Sequence, residues 1–247
     1  MKSLILSNIH GNWPALQAVL AAEPDADQIV CLGDLVGHGP QPAECVTWAM
    51  QMDPPNRVVA APIPKEAWLT ENRPAHACPQ CPADFSPEMR RFLAGLSPLQ
   101  QFRWDGAACF ACQRMARHPL DCDSFARLES KYWNATELTR MDTDLILTGV
   151  PGKLFVLVGH PDFLFLAETC HALQTELNGT KIVNPGNVGL PADGDARAAY
   201  AVWLDGQVAL RRVAYDLEET IHAYDRLDFD EPVRRQLQRR ARAAYAT

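Results

Sequence analysis

Short apolar runs alternate with helix-like spacing along the first 60 residues of the chain. The run at 4–6, Leu-Ile-Leu, predicts a buried strand, and a polar turn that contains glycine follows it at 8–12. Leu16, Val19 and Leu20 then have the spacing of one helix face. The alternation continues with a predicted strand at 28–32, a helix at 42–50 and a strand at 57–60. This order predicts an α/β fold in which polar turns lie where strands end.

The rest of the chain predicts further strands and helices around an irregular middle. Apolar runs at 198–204 and 207–213 flank an Asp-Gly turn, which predicts a β-hairpin. Residues 61–85 are rich in proline and cysteine and predict a loop-like insert within one domain of 1–247. Further predicted strands lie at 144–147, 154–158 and 163–166, and further helices at 86–94, 217–224 and 232–244.

The composition is that of an ordinary globular protein, with 47% hydrophobic and 21% charged residues. The formal charge of −7 argues against nucleic acid as the main partner, because such binding depends on basic surface. The last predicted helix carries five arginines, Arg234, Arg235, Arg239, Arg240 and Arg242. We interpret them as a solvated helix face. No window approaches the ~18 consecutive apolar residues of a membrane helix, and the first apolar run is too short for a signal peptide. We therefore expect a cytoplasmic protein without membrane attachment.

Two polar turns contain residues that commonly bind metal ions. Residues 7–12 read Ser-Asn-Ile-His-Gly-Asn and end the first strand, whereas residues 33–37 read Gly-Asp-Leu-Val-Gly and end the second. Carboxylates and imidazoles at neighbouring strand ends can hold two divalent ions about 3.5–4 Å apart, as hydrolytic sites do. His10 and Asp34 are therefore candidate metal ligands and candidate catalytic residues.

These turns resemble two motifs of the calcineurin-like metallophosphoesterase family, in its small bacterial and archaeal branch. That family opens with Ser-Asp-x-His-Gly-Asn and continues with Gly-Asp-x-Val-Gly-x-Gly-Pro. Residues 184–189, Asn-Pro-Gly-Asn-Val-Gly, are similar to the family segment that opens Asn-Pro-Gly-Ser-Val-Gly. The resemblance implies a four-layer α/β/β/α sandwich, in which two mixed sheets pack together and helices flank them. It also implies metal-dependent phosphoesterase activity wherever the metal ligands are kept.

Several ligand positions depart from the family pattern. Asn8 stands where the family has a metal-binding aspartate, and an amide oxygen coordinates more weakly than a carboxylate. Residues 61–66, Ala-Pro-Ile-Pro-Lys-Glu, follow the third strand and contain neither the asparagine ligand nor the histidine acid of the family. Gln113 stands where the resemblance implies another histidine ligand. The di-metal centre is therefore expected to be depleted.

The last family motif, Gly-His-x-His, has two alternative positions in this chain. Residues 149–152 fit by position and contain no ligand, whereas residues 159–162 fit by composition and contain His160 and Asp162. The broadest candidate set would hold one weakly bound Mn, Fe or Zn ion, and it comprises Asn8, His10, Asp34, His160 and Asp162. In the alternative, His10 and Asp34 only hydrogen-bond loop backbone and cap helices.

We therefore expect a diverged family member that acts as a binding or regulatory module and hydrolyses little or nothing. The expected ligand is a small phosphate or a nucleotide, and a protein partner is the other expectation. Loop residues that would expose backbone groups to such a ligand are Gly11, Gly33, Gly37, Asn184 and Gly186. The fold alone explains these glycines equally well.

Two other functions are consistent with the same residues. A working hydrolase of phosphomonoesters or phosphodiesters would use His10, Asp34, His160 and Asp162 around one or two Mn, Fe or Zn ions. Its general acid would come from elsewhere, with His38 and His76 as candidates. A protein–protein scaffold would instead make contact through the acidic surface or the arginine-rich helix.

Two Cys-x-x-Cys pairs, Cys78 with Cys81 and Cys109 with Cys112, are candidate ligands of one structural zinc ion. Four thiolates can form a tetrahedral zinc site. The first pair lies in the predicted loop, where a reactive dithiol is the alternative. If residues 109–112 form a strand, their two cysteines point to opposite faces, which favours burial as small apolar side chains.

Overall fold

The structure is a computed structural model that describes most of the chain. The described residues are 1–37, 39–59, 85–97, 99–112, 144–150, 153–158, 161–167, 172–177, 179–191, 193–227 and 230–243. The helices in this part of the chain are α1 (Trp13–Ala22), α2 (Pro42–Met50), α3 (Pro87–Gly95), α4 (Leu217–Tyr224) and α5 (Glu231–Ala243). None of these described helices is long and apolar enough to cross a membrane.

Twelve strands lie within the described residues. They are β1 (Lys2–Leu6), β2 (Gln28–Cys31), β3 (Arg57–Val58), β4 (Leu99–Trp104), β5 (Ala107–Cys112), β6 (Asp144–Val150), β7 (Lys153–Val158), β8 (Phe163–Leu166), β9 (Leu173–Leu177), β10 (Thr180–Asn184), β11 (Ala198–Leu204) and β12 (Gln207–Val213). They form two five-stranded sheets and the separate antiparallel hairpin β6–β7.

Both five-stranded sheets are mixed. The first has the order β12-β11-β1-β2-β3, in which β1, β2 and β3 run parallel and β11 and β12 are antiparallel neighbours. The second has the order β4-β5-β8-β10-β9, in which β5, β8 and β10 run parallel and the edge strands are antiparallel. Each sheet therefore has a parallel centre, and its parallel strands end at a common edge.

The two sheets pack against each other through a shared apolar core. Ile5 and Val30 of the first sheet lie in the same buried cluster as Phe165 and Val183 of the second. Two tryptophan rings join the sheets near the starts of the parallel strands β1 and β5, with the Trp104 and Trp203 centroids 5.3 Å apart. Burial of this kind stabilises by roughly 25 cal/mol for each Å² of apolar surface removed from water. The sheet–sheet contact is therefore the centre of the fold.

Helices cover the other face of the first sheet. Leu4 and Leu6 alternate with Ile5 along β1, and they pack with Leu16 of α1 and Val46 of α2. In the second sheet, side chains from both faces are buried: Leu164 and Leu166 are 1% and 0% exposed, although they alternate with Phe163 and Phe165. The predicted α/β class with two packed mixed sheets is confirmed. The expectation of one domain stays a prediction.

Helices α4 and α5 form an antiparallel pair at the end of the chain. Ile221 and Tyr224 of α4 pack against Leu237 and Ala241 of α5, and all four side chains are buried. The side chain of Asp216 caps α4 by accepting a hydrogen bond from the Glu219 N–H at 2.9 Å. The sequence pattern predicted both helices to within one residue of their observed bounds at each end.

Three strands of the second sheet, β4, β9 and β10, were not predicted from the sequence. A fourth, β5, was considered only as a condition in the argument about Cys109 and Cys112. The two edge strands β4 and β9 mix polar and apolar residues, as in Leu-Gln-Thr-Glu-Leu of β9, because edge strands of a sheet are partly exposed. Their place in the sheet is set by pairing with β5 and β10.

A buried carboxylate ties the start of β1 to β11 and β12. Glu23 is 4% exposed, yet its oxygens lie 2.7 Å from Lys2 Nζ, 2.7 Å from Arg211 Nη1 and 2.9 Å from the Tyr200 hydroxyl. Burial alone would raise the pKa of Glu23, but the three hydrogen bonds outweigh burial and hold that pKa below its usual value. The ionised carboxylate therefore stabilises the folded chain.

We expect Glu23→Gln to lower the free energy of unfolding at pH 7 by about 2–3 kcal/mol, because it leaves the two cations without their shared anion. A carboxyl whose pKa is lowered by folding stabilises above its unfolded pKa of about 4.3 and loses that effect as pH falls through the folded value. The difference between variant and wild type should therefore shrink from pH 5 toward acid, as urea unfolding would measure. Asp25→Asn is the control, because Asp25 also contacts Lys2 but its side chain is 73% exposed. An equal loss in both variants would contradict this interpretation.

Candidate functional site

Two loops meet at the edge where the parallel strands β1 and β2 end. The Asn8 N–H donates to the Gly33 carbonyl at 3.3 Å, and the His10 N–H donates to the Asp34 carbonyl at 2.7 Å. The β-ladder thus continues beyond the strands as bonds from loop to loop. These bonds bring together the three predicted site residues Asn8, His10 and Asp34.

The same three residues have left-handed backbone conformations. Their φ angles are 53° at Asn8, 53° at His10 and 49° at Asp34. This region costs roughly 1–2 kcal/mol for a residue with a Cβ, and asparagine and aspartate tolerate it better than most. The conformation turns the chain sharply at each strand end. Loop-to-loop hydrogen bonds and tight packing offset its cost.

A third loop, residues 184–189, lies against the first. The Val188 N–H donates to the Ser7 carbonyl at 3.1 Å, and the Gly189 N–H donates to the Asn8 carbonyl at 3.0 Å. A Cβ on Gly189 would lie 1.7 Å from the carbonyl oxygen of Ile9, so only glycine fits at this position. The loop that resembles the family's closing motif therefore belongs to the same site.

Asn12 connects these loops to the helices. Its side chain is buried, and its Nδ2 donates to the Gly189 carbonyl at 2.7 Å. Its Oδ1 accepts the Ala15 N–H at 3.2 Å, which caps α1, and the Thr220 hydroxyl of α4 at 3.1 Å. One side chain thus joins the first loop, the third loop and two helices.

Gly37 holds the imidazole of His10 in place. A Cβ at Gly37 would lie 2.6 Å from His10 Nδ1, and the Gly39 N–H donates to the His10 carbonyl at 2.5 Å. The second loop therefore packs over His10 with no room for a side chain. His10 and Asp34 are half-buried, whereas Asn8 is only 6% exposed.

The surroundings of Asp34 are largely apolar. A small open pocket at the ends of β2 and β3 is lined by Gly33, Asp34, Leu35, Val36, Val59, Leu93 and Leu96. Asp34 is the charged residue among them. The residues that follow Val59 in the chain, where the family has its asparagine and histidine motif, lie outside the described residues.

Asp162 lies at the amino end of its strand. It precedes β8, and its Oδ2 accepts the Ala108 N–H at 2.7 Å at the start of the neighbouring strand β5. The adjacent ring of Phe163 lies 4.4 Å from that of Trp203, which pairs with Ser3 near the start of β1. The starts of both sheets are therefore at one edge of the sandwich, and Asp162 is among them.

Asn8 and Asp34, by contrast, follow the carboxyl ends of β1 and β2. The structure thus places Asp162 at the edge opposite to them, and its expected role as a ligand with Asn8 and Asp34 does not agree with this geometry. Its partner in that expectation, His160, lies outside the described residues, as do His38 and His76. Residues 149 and 150 lie at the end of β6, and 151–152 are also outside.

The carboxyl end of β8 is a position that the sequence analysis missed. β8 runs parallel to β10, whose own end at Asn184 begins the third loop of the site. After Ala167 the sequence continues Glu168-Thr169-Cys170-His171, which is outside the described residues but includes three residue types that bind metals. The direction of β8 is the signal that could have indicated this segment, because ligands bind beyond the carboxyl ends of parallel strands.

The second cysteine pair lies inside the sheet. Cys109 and Cys112 are both on β5 and are 0% and 1% exposed. Cys109 faces the first sheet beside Phe163, and Cys112, three residues later, points to the opposite face. Burial raises the pKa of the Cys109 thiol to about 12, so it stays protonated. The expectation that these two cysteines share a zinc ion with Cys78 and Cys81, which lie outside the described residues, does not agree with this geometry.

Comparison with known proteins supports the fold and the family. Residues 1–63 match the model of the calcineurin-like phosphoesterase family. The uncharacterized protein MJ0912 of Methanocaldococcus jannaschii is 27% identical over 244 residues, which cover 92% of this chain and 93% of that protein.

Solved structures share the whole described fold. A metallophosphoesterase from Sphaerobacter thermophilus superposes with a TM-score of 0.66 at 23% identity, over 96% of this chain and 98% of that one. Hypothetical protein PH1004 from Pyrococcus horikoshii OT3 has a TM-score of 0.62 at 15% identity, over 96% and 97%. The model match over residues 1–63 confirms the resemblance of the first two loop motifs to the calcineurin-like phosphoesterase family, and the solved structures share the α/β fold.

The packing of Gly37 on His10 gives a test of the loop geometry. We expect Gly37→Ala to displace the His10 imidazole and to destabilise the protein by about 1–3 kcal/mol, because the added methyl overlaps the ring. Imidazole NMR shifts and chemical unfolding would measure the two effects. Gly95→Ala is the matched control, since a Cβ there meets nothing within 4 Å. A stable Gly37→Ala variant with unchanged His10 signals would refute the described packing.

Burial of Cys109 gives a second test. We expect Cys109→Ser to destabilise the fold by about 1–3 kcal/mol, because it places a hydroxyl in the core. We expect the zinc content, measured by elemental mass spectrometry of purified protein, to stay equal to that of wild type. Zinc that disappears on Cys109→Ser without unfolding would show that this cysteine is a ligand after all.

Proposed function

We propose that this protein binds a phosphate-bearing ligand at the edge formed by its three loops, and that it hydrolyses such a ligand weakly or not at all. Members of the family generally use divalent metal ions and act on phosphate-containing substrates. The described fold keeps the loops on which such a site is built. Among the candidate ligands on those loops, His10 and Asp34 match the family pattern, whereas Asn8 differs from it.

The observation that carries the proposal is the buried amide of Asn8. It has a left-handed backbone, lies directly against the Gly33–Asp34 turn, and is only 6% exposed. A carboxylate there would supply one negative charge to a pair of dications, and an amide supplies none. The difference from the family's motif at residue 8 is therefore one of charge.

The described residues do not fit a two-metal centre. No group of three or more histidine, cysteine, aspartate or glutamate side chains within the described ranges is arranged to hold an ion. His10 and Asp34, with the Asn8 amide oxygen as a third donor, fit at most one weakly bound Mn, Fe or Zn ion. Such an ion would offer a positive charge to a phosphate beside the otherwise negative Asp34.

Weak or absent hydrolysis follows from the same residues. Hydrolysis of a phosphate ester needs an activated water and a proton donor for the leaving group. Of the described site residues, the Asn8 amide and the apolar side chains around Asp34 supply no proton, and His10 is already an expected ligand of the ion. The cytoplasmic location and a structural zinc at Cys78 and Cys81 remain predictions of the sequence.

A working hydrolase is the second candidate, and one observation favours it. Three site positions, Asn8, His10 and Asp34, have a costly left-handed backbone, and such strain commonly persists where it serves a ligand or a reaction. This candidate predicts metal-stimulated turnover of a generic aryl phosphate that Asp34→Ala abolishes. The first candidate predicts ion and phosphate binding without that turnover.

Introducing a carboxylate at residue 8 tests whether an ion binds at this edge. We expect Asn8→Asp to raise the affinity for Mn²⁺ at least tenfold, because it returns a charged oxygen ligand beside Asp34. Isothermal titration with Mn²⁺ and native mass spectrometry would measure affinity and the number of ions. Asp34→Asn is the matched control, which should weaken binding by removing the charge that remains.

Two results would overturn the proposal. Wild-type protein that holds two ions and hydrolyses an aryl phosphate at rates typical of enzymes would establish the hydrolase. Unchanged Mn²⁺ affinity in both variants would show that no ion binds at this edge.

A further inference from the structure

Helix α5 exposes a row of three arginines on a protein of net negative charge. Arg235, Arg239 and Arg242 lie at positions i, i+4 and i+7, so they share one face over about 10 Å of helix axis. All three are exposed, and Arg235 and Arg242 have side-chain exposures of 66% and 58%. The opposite face of the helix is buried on α4 through Leu237 and Ala241. We call these three residues the arginine row.

The arginine row is held in place but keeps donors available. Arg235 Nε contacts a Glu231 carboxylate oxygen at 2.6 Å, and Arg242 Nη2 contacts Glu218 at 3.3 Å. Arg239 forms no ion pair with the described residues. A guanidinium has five N–H donors, so each of the three can still bind an external anion. Over its whole length α5 carries five arginines against one glutamate.

Side-chain contacts connect the Arg242 end of the row to the three-loop site. Arg242 lies against Glu218 at the start of α4, two residues before Thr220. Thr220 in turn donates to Asn12, two residues after His10. A ligand with several phosphates could therefore extend from the loops along α5.

We propose that the arginine row binds the phosphate backbone of a single-stranded oligonucleotide whose terminal phosphate reaches the loops around His10. A row about 10 Å long can contact at least two successive phosphates of one strand. One ligand chemistry then accounts for both surfaces, whereas an acidic peptide would account for the row alone. The net charge of −7 led us to expect no nucleic-acid partner, but net charge averages over the surface and binding depends on local potential. The inference rests on the proposed function only for the position of the terminal phosphate.

Fluorescence anisotropy with a labelled 12-nucleotide oligothymidine tests the proposal on the full chain. Arg239→Gln with Arg242→Gln should weaken binding at low salt at least fivefold, and should reduce the slope of log affinity against log salt by about 1.4. The matched control is Arg91→Gln with Arg103→Gln, which removes the same charge from exposed residues elsewhere and should change affinity less than twofold. With Mn²⁺ present, a 5′-phosphate on the oligonucleotide should strengthen wild-type binding at least threefold.

Each contrary outcome would overturn one defined part of the proposal. If the wild-type chain does not bind at about 25 mM salt, or if both arginine pairs lose affinity equally, the arginine row is not a specific site. If polyglutamate of equal charge competes as well as the oligonucleotide, the row is a surface for acidic protein instead. If the 5′-phosphate has no effect, the connection to the loops is wrong. Failure of the proposed function is seen separately, as unchanged Mn²⁺ affinity in Asn8→Asp, and it leaves the comparison of the arginine pairs intact.

Discussion

The parallel pairing of β1 with β2, continued as hydrogen bonds between the loops beyond them, is the interaction on which the site depends. Asn8 and His10 donate to carbonyls of the Gly33–Asp34 turn, and the third loop then adds its own bonds to Ser7 and Asn8. All of these bonds are made by backbone atoms. The positions of the site residues are therefore fixed by the path of the chain and by glycines where no side chain fits, and hardly by the identity of the ligating side chains.

That separation explains how the fold can persist while its chemistry changes. Aspartate and asparagine have nearly the same shape and both tolerate a left-handed backbone, so the turn at residue 8 accepts either. The exchange alters charge, which the fold does not require and a pair of dications does. By contrast, a methyl group at Gly189 would meet the Ile9 carbonyl at 1.7 Å and disturb two loops together. The positions that define the fold are thus different from those that define the reaction.

The positions of the first two loops were predicted from the sequence, because glycines and polar residues directly after an apolar run are typical of turns. The sequence did not predict β4, β9 and β10, since the edge strands mix polar and apolar residues and depend on partners far away in the chain. Asp162 was selected as a candidate metal ligand because of its residue type. The direction of β8 places it at the edge of the sheets opposite to Asn8. From the sequence, Cys109 and Cys112 could be either zinc ligands or buried core residues. Because side chains three positions apart on a strand point to opposite faces, the observed strand favours the core.

The central position of β1 has a consequence for how the chain reaches this fold. β1 lies between β2, about 25 residues away, and β11, whose Leu204 pairs with Lys2. Contacts of such long sequence separation are slow to form, because the loop-closure entropy is lost before they stabilise anything. During synthesis the first strand must wait, with one hydrogen-bonding edge open, until β11 at residues 198–204 has been made. A ribosome-bound intermediate of this protein would therefore contain its first two site loops before it contains the third loop or a finished sheet.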